Sequence, residues 1–170
     1  MSAPGMHGRS ARRPRRGMAL MEAMVAVLLL SMSALGYAAL QLRGLSSNSS
    51  ALWRSKASLL AADMADRLRA NQAGVGAGAY NSLTTVGASG DCGSTTACNP
   101  TRMAVLDHAQ WNTTLGRELP GGSGVVCLDS TPDDGTATEP ACDSGGAMFA
   151  VKVFWKERGE VARLVLPVRP

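Results

Sequence analysis

The longest apolar run comes early and carries one charge. From Met18 to Leu42 the chain reads MALMEAMVAVLLLSMSALGYAALQL, with Glu22 as its only charged residue. At about 1.5 Å per residue such a helix spans a hydrocarbon core of roughly 30 Å, so the segment predicts a transmembrane helix. No proline occurs between Pro14 and Pro100, and nothing in the pattern stops the helix where the apolar run ends. Trp53, Ala57, Leu60, Met64 and Leu68 fall at spacings of three and four and form one stripe. Asp63 with Arg67, and Asp66 with Arg69, place acid before base at i, i+4 and i, i+3 on a wet face. Asn71 to Gly78, with three glycines, is a plausible stop. The pattern predicts a single helix from about Met18 to about Gln72, apolar all round in its first half and amphipathic in its second.

Beyond Gly78 the chain turns to Gly, Ser, Thr and Ala, and residues 74–99 read as a connecting loop. Asn99-Pro100 then has the form of a helix start, an N-cap followed by a proline at the first helical position. Ala104, Trp111, Leu115 and Leu119 follow at helical intervals before Pro120-Gly121-Gly122, which predicts a short second helix. Val125 to Leu128, Ala147 to Lys156 and Glu160 to Val168 are apolar and β-branched, the last two separated by the turn Glu157-Arg158-Gly159. Phe149, Val151, Val153 and Trp155 alternate onto one face, assigned to a core against the long helix. Pro167 and Pro170 are expected to mark a frayed end. The fold class is α+β: a long N-terminal helix packed on a small antiparallel sheet, with a short second helix.

Composition adds two constraints. Aromatics are 4% of residues and Gly numbers 19 of the 170, so the core rests on Leu, Val, Met and a few large anchors. The formal charge is +4, but five of the 17 basic residues (Arg9, Arg12, Arg13, Arg15, Arg16) precede Gly17, leaving 12 against all 13 acids in the remainder. That balance argues against a phosphate-gripping protein. The Arg-rich, acid-free start suits retention on the cytoplasmic side of a membrane. The junction Arg16-Gly17-Met18 lies before the apolar run, the opposite side from an ordinary secretory cleavage site.

Glu22 needs a compensating partner, because a carboxylate inside an apolar helix costs about 2.5 to 3.5 kcal/mol on insertion scales. Cleavage after Gly17 would supply one, the new α-amino group of Met18 on a neighbouring copy. Arg-Arg-Gly followed by Met-Ala-Leu-Met-Glu and a long apolar helix resembles the class III signal of type IV pilins. The stretch SNSSALWRSKASLLAADMADRLRAN, Ser47 to Asn71, is similar to the PilV family of minor pilins, the pilus modification proteins. The resemblance implies the type IV pilin-like fold, with Gly17 as the last leader residue and Met18 as the first mature residue. Met18 would be N-methylated by the prepilin peptidase that cuts there, and Glu22 would be the assembly residue. The first mature position is usually Phe in this family and is Met18 here, and translation from Met6 would give a shorter leader with the same junction. The implied organisation is a leader over 1–17, a transmembrane and assembly helix over 18–42, its amphipathic continuation over 43–73, and a disulfide-stapled head over 74–170. Implied partners are the prepilin peptidase, other major and minor pilins, and the inner membrane before assembly. The N-terminus would be cytoplasmic and the head periplasmic, then displayed on the pilus at the cell surface.

Four cysteines, Cys92, Cys98, Cys127 and Cys142, lie in the part expected outside the cytoplasm and predict disulfides. Three connectivities exist, and loop-closure entropy favours near neighbours, Cys92 with Cys98 and Cys127 with Cys142. Their spacings do not suit a tetrahedral zinc site. Asp129, Asp133, Asp134 and Asp143 could offer oxygens to calcium but match no EF-hand loop, and read as a solvated acidic loop. His108 stands alone on the second helix as a surface or packing residue. No catalytic motif, metal centre or cofactor fingerprint is present, and Gly74-x-Gly76-x-Gly78 follows a helix where a dinucleotide loop would follow a strand. The expectation is a structural subunit and not an enzyme. The alternatives are a type II secretion pseudopilin, and an adhesive or DNA-binding tip pilin that would use Lys152, Lys156, Arg158, Arg163 and Arg169.

Overall fold

The computed structural model describes residues 16–87, 92 and 98–170. Residues 1–15 of the expected leader, and 88–91 and 93–97 of the expected loop, lie outside the described residues. The elements run α1 (Arg16–Ala70), α2 (Gln72–Gly76), β1 (Ser82–Leu83), α3 (Pro100–Glu118), β2 (Ser123–Leu128), β3 (Phe149–Glu157) and β4 (Glu160–Val168). The chain divides into two units, Met1–Ser47 and Asn48–Pro170, with the boundary inside α1.

In the first unit the described side chains from Met18 to Leu45 are all exposed. The hydroxyls of Ser31 and Ser33 donate back to Leu28 O (2.8 Å) and Leu29 O (2.9 Å) of their own helix. Those polar groups are therefore satisfied without water, as an apolar surrounding requires. The helix is long and apolar enough to cross a membrane.

In the second unit α1 contributes Ala57, Ala61, Met64, Ala65 and Leu68 to a core shared with Ala104, Trp111 and Leu115 of α3 and with Val126, Val151, Val153 and Trp155 of the sheet. Trp53 and Leu60 lie half-buried along the same stripe. The Trp111 indole donates to Leu60 O at 2.8 Å, tying α3 to α1. Both acid–base pairs on the wet face form, Arg67–Asp63 at 3.1 Å and Arg69–Asp66 at 2.8 Å.

The expected loop over 74–99 needs correction. Asn71 leaves helical geometry (φ −106°, ψ 58°), ends α1 at Ala70, and accepts a hydrogen bond from Gly74 N to cap α2. Farther on, β1 pairs with β2, Ser82 opposite Cys127. Between α2 and β1, Tyr80 is fully buried. A lone aromatic and a two-residue strand carry no periodicity, so only their tertiary contacts reveal them.

The sheet is antiparallel in the order β1-β2-β3-β4, with Val126 opposite Val151 and Val151 opposite Leu166. Arg158 (φ 54°) and Gly159 (φ 90°) form the two-residue turn between β3 and β4, with Glu157 paired to Glu160. Pro167 is not in a frayed end. It pairs with Ala150 inside β4, and Val168 after it is buried. An edge strand tolerates the missing N–H. The Phe149, Val151, Val153 and Trp155 face of β3 lies in the core as expected, and β3 is also buried on its other face, at every position from Phe149 to Trp155. One face meets the helices, and the other, carrying Ala150, Lys152 and Phe154, is covered by the segment 129–146.

Candidate assembly segment and head loop

Gly17, Met18 and Glu22 lie in the first turns of α1. Met18, Met21 and Val25 around Glu22 are exposed, so among the described residues this stretch presents an apolar, one-charge helical surface.

The cysteines join as Cys92–Cys98 and Cys127–Cys142. The second bond closes the segment that covers β3. Cys127, Asp129 and Cys142 cluster closely enough to suggest a metal site, yet their sulfurs are bonded to each other and offer no thiolate.

The reading of Asp129, Asp133, Asp134 and Asp143 as a solvated acidic loop is corrected at Asp129, while Asp133 and Asp143 are exposed. Asp129 and Lys152 are both fully buried, with Lys152 Nζ 2.6 Å from Asp129 Oδ2. The ammonium also reaches Asp134 Oδ1 (3.0 Å), Asp134 O (3.1 Å) and Pro140 O (2.7 Å). Asp129 Oδ1 accepts from Thr131 N at 3.0 Å, while Oδ2 is held by the Lys152 ion pair and accepts no hydrogen bond. Lys152 holds the Asp134 carboxyl below its ordinary range, with help from Thr131. Ser130 donates its hydroxyl to Asp143, lowering that carboxyl too. From β4, Arg163 donates to Gly135 O (2.5 Å), Asp133 O (2.9 Å) and Asp133 Oδ1 (3.1 Å). Two basic side chains of the hairpin thus hold down the loop. Lys152, fully buried, is withdrawn from the basic concentration considered above for nucleic acid, and Arg163 is engaged by the loop. The missed signal was Ala150 and Phe154 flanking Lys152 at i±2, an apolar second face on β3.

A second polar cluster joins α3 to β2. Asn112, at the edge of burial, brackets Gly124, accepting from Gly124 N (2.8 Å) and donating to Gly124 O (3.0 Å). His108 is buried, not at the surface, and its Nε2 lies 3.0 Å from Gly124 O, a contact that the Nε2–H tautomer satisfies. Burial lowers its pKa, against a smaller opposing effect of the Gly124 hydrogen bond. At the end of α1, Tyr80 OH donates to Asp107 Oδ2 (3.0 Å) and accepts from Asn71 Nδ2 (3.1 Å), while Arg67 reaches Asp107 Oδ1 at 3.2 Å. Burial is the chief cause that pushes the Tyr80 phenol up to about 12. These groups pin elements to one another, and none pairs a nucleophile with a base.

No curated protein and no solved structure matches the chain. Residues 39–109, less than half of it, match the family model described as "Tt1218-like: Type IV pilin Tt1218". The match runs from the apolar part of α1 through α2 and β1 into α3. It supports a type IV pilin subunit, in a chain whose long N-terminal helix, four-stranded antiparallel sheet and short further helix make the type IV pilin-like α+β fold.

Proposed function

We propose that the chain is a minor type IV pilin of the PilV type, held in the inner membrane with its N-terminus cytoplasmic and its head periplasmic. The prepilin peptidase cuts after Gly17 and methylates Met18, and the subunit then packs by its helix among major and minor pilins to prime, modify or decorate the fibre. The observation that carries the reading is the pilin-family match over 39–109, continuous within α1 with an exposed apolar segment whose single charge is Glu22. In a stacked bundle the Glu22 carboxylate of one subunit meets the Met18 amine of its neighbour, and each removes the other's cost of sitting unpaired in an apolar medium. Pilus extension, twitching motility and surface adhesion are the activities such a subunit serves.

The test is intact-mass analysis of the membrane-extracted protein, with and without the peptidase, for wild type and Gly17→Ala. Loss of residues 1–17 with gain of one methyl group, dependent on both, is the expected result. A retained leader, or cleavage after the apolar run, would sink the proposal.

A further inference from the structure

Four oxygens surround the Lys152 ammonium at 2.6 to 3.1 Å: Asp129 Oδ2, Pro140 O, Asp134 Oδ1 and Asp134 O. Carboxylates and backbone carbonyls converging from one loop are the donor set of a hard cation. Here the centre is taken by a side chain that rises from β3. We propose that Lys152 is a tethered internal cation around which loop 129–146 is folded, so that this face of the head keeps its shape without a divalent ion.

The placement of the oxygens carries the inference. Asp129 directly follows β2, and Pro140 stands two residues before Cys142, so the ammonium binds both ends of the loop at the neck that Cys127–Cys142 closes. Asp134 supplies two oxygens from the middle. Three ammonium protons therefore meet three acceptors, Asp134 O, Asp134 Oδ1 and Pro140 O, and Asp129 Oδ2 completes the set as an ion pair. The stem lies between Ala150 and Phe154, which share its face of β3 and are buried. A compact point charge on a flexible stem fits this centre, where a planar guanidinium would not. The disulfide ties the neck, and the ammonium supplies the charge without which the buried Asp129 would stand uncompensated.

The experiment uses full-length protein in detergent and elastase, a protease that cuts after small residues. Cutting after exposed Ala137 is read by mass after reduction, because Cys127–Cys142 holds the two fragments together until then. Wild type is expected to be cut at the same slow rate in calcium and in EDTA. Lys152→Met is expected to be cut at least about a hundredfold faster, since it strands a buried carboxylate, and methylammonium or calcium should slow it again. Faster cutting of wild type in EDTA, a Lys152→Met loop as resistant as wild type, or a failure of both cations to slow the variant would each overturn the proposal. If Lys152→Met does not fold, Asp134→Asn leaves the buried pair in place and is expected to raise cutting several-fold. An unchanged rate there overturns it equally.

Discussion

Single residues in this head are fixed by backbone groups more than by other side chains. His108 shows what that means for pH. Its ring is buried and neutral against Gly124 O, with a folded pKa below the ordinary value of 6.5. Below that value the unfolded chain takes up the proton and the folded chain does not, so stability is full above it and falls as pH drops toward the folded pKa. Thermal melts are expected to weaken between neutral pH and mildly acidic pH in wild type, and to be flatter there in His108→Gln. Glu118, Asp134 and Asp143 have lowered carboxyl pKa values, so their stability is lost only in a more acidic window. Equal slopes for wild type and variant in the upper window would show that the ring is not held neutral by burial.

At the scale of elements, α3 packs closely against β2. A Cβ on Gly124 would lie 2.3 Å from the Trp111 ring, and that ring is fully buried. Gly124→Ala is expected to cost about 1 to 3 kcal/mol through overpacking, a drop of several degrees in melting temperature. A variant that melts with wild type would mean that α3 can slide away from the sheet. Much of this layer was legible in the chain: Asn99-Pro100 marks the start of α3, the spacing of Trp111 and Leu115 sets its inner face, and Arg158-Gly159 sets the hairpin. The long helix was legible from its single charge and missing prolines. The turn of α2 was missed although its cap, Asn71, directly precedes it. The start of β2 at Ser123-Gly124 and the short β1 were not legible, because each exists through a partner distant in sequence, Asn112 and Cys127. Lys152 was misread for the same reason. A lysine in a strand ordinarily reads as solvent-facing, and its burial depends on acids in a loop with no periodicity.

At the scale of the molecule, the first unit has apolar side chains exposed along a helix and the second is a packed head. The same chain thus offers one surface fit for an apolar medium and another fit for water. Each reading of processing in the first unit, cleavage after Gly17 and methylation of Met18, is tested by the mass experiment. Each that rests on the loop is tested by proteolysis, and the two fail independently. Within the head, β3 has a hydrogen-bonded neighbour on either edge, α1 and α3 over one face, and loop 129–146 over the other. Water reaches its backbone only when the whole unit opens. On transfer to heavy water, the amides of β3 from Ala150 to Trp155 should therefore be the last to take up deuterium, and their exchange rate is a direct gauge of global unfolding. If β4 outlasts β3, the loop lifts without the rest; if β3 is last, lifting the loop and unfolding the head are one event.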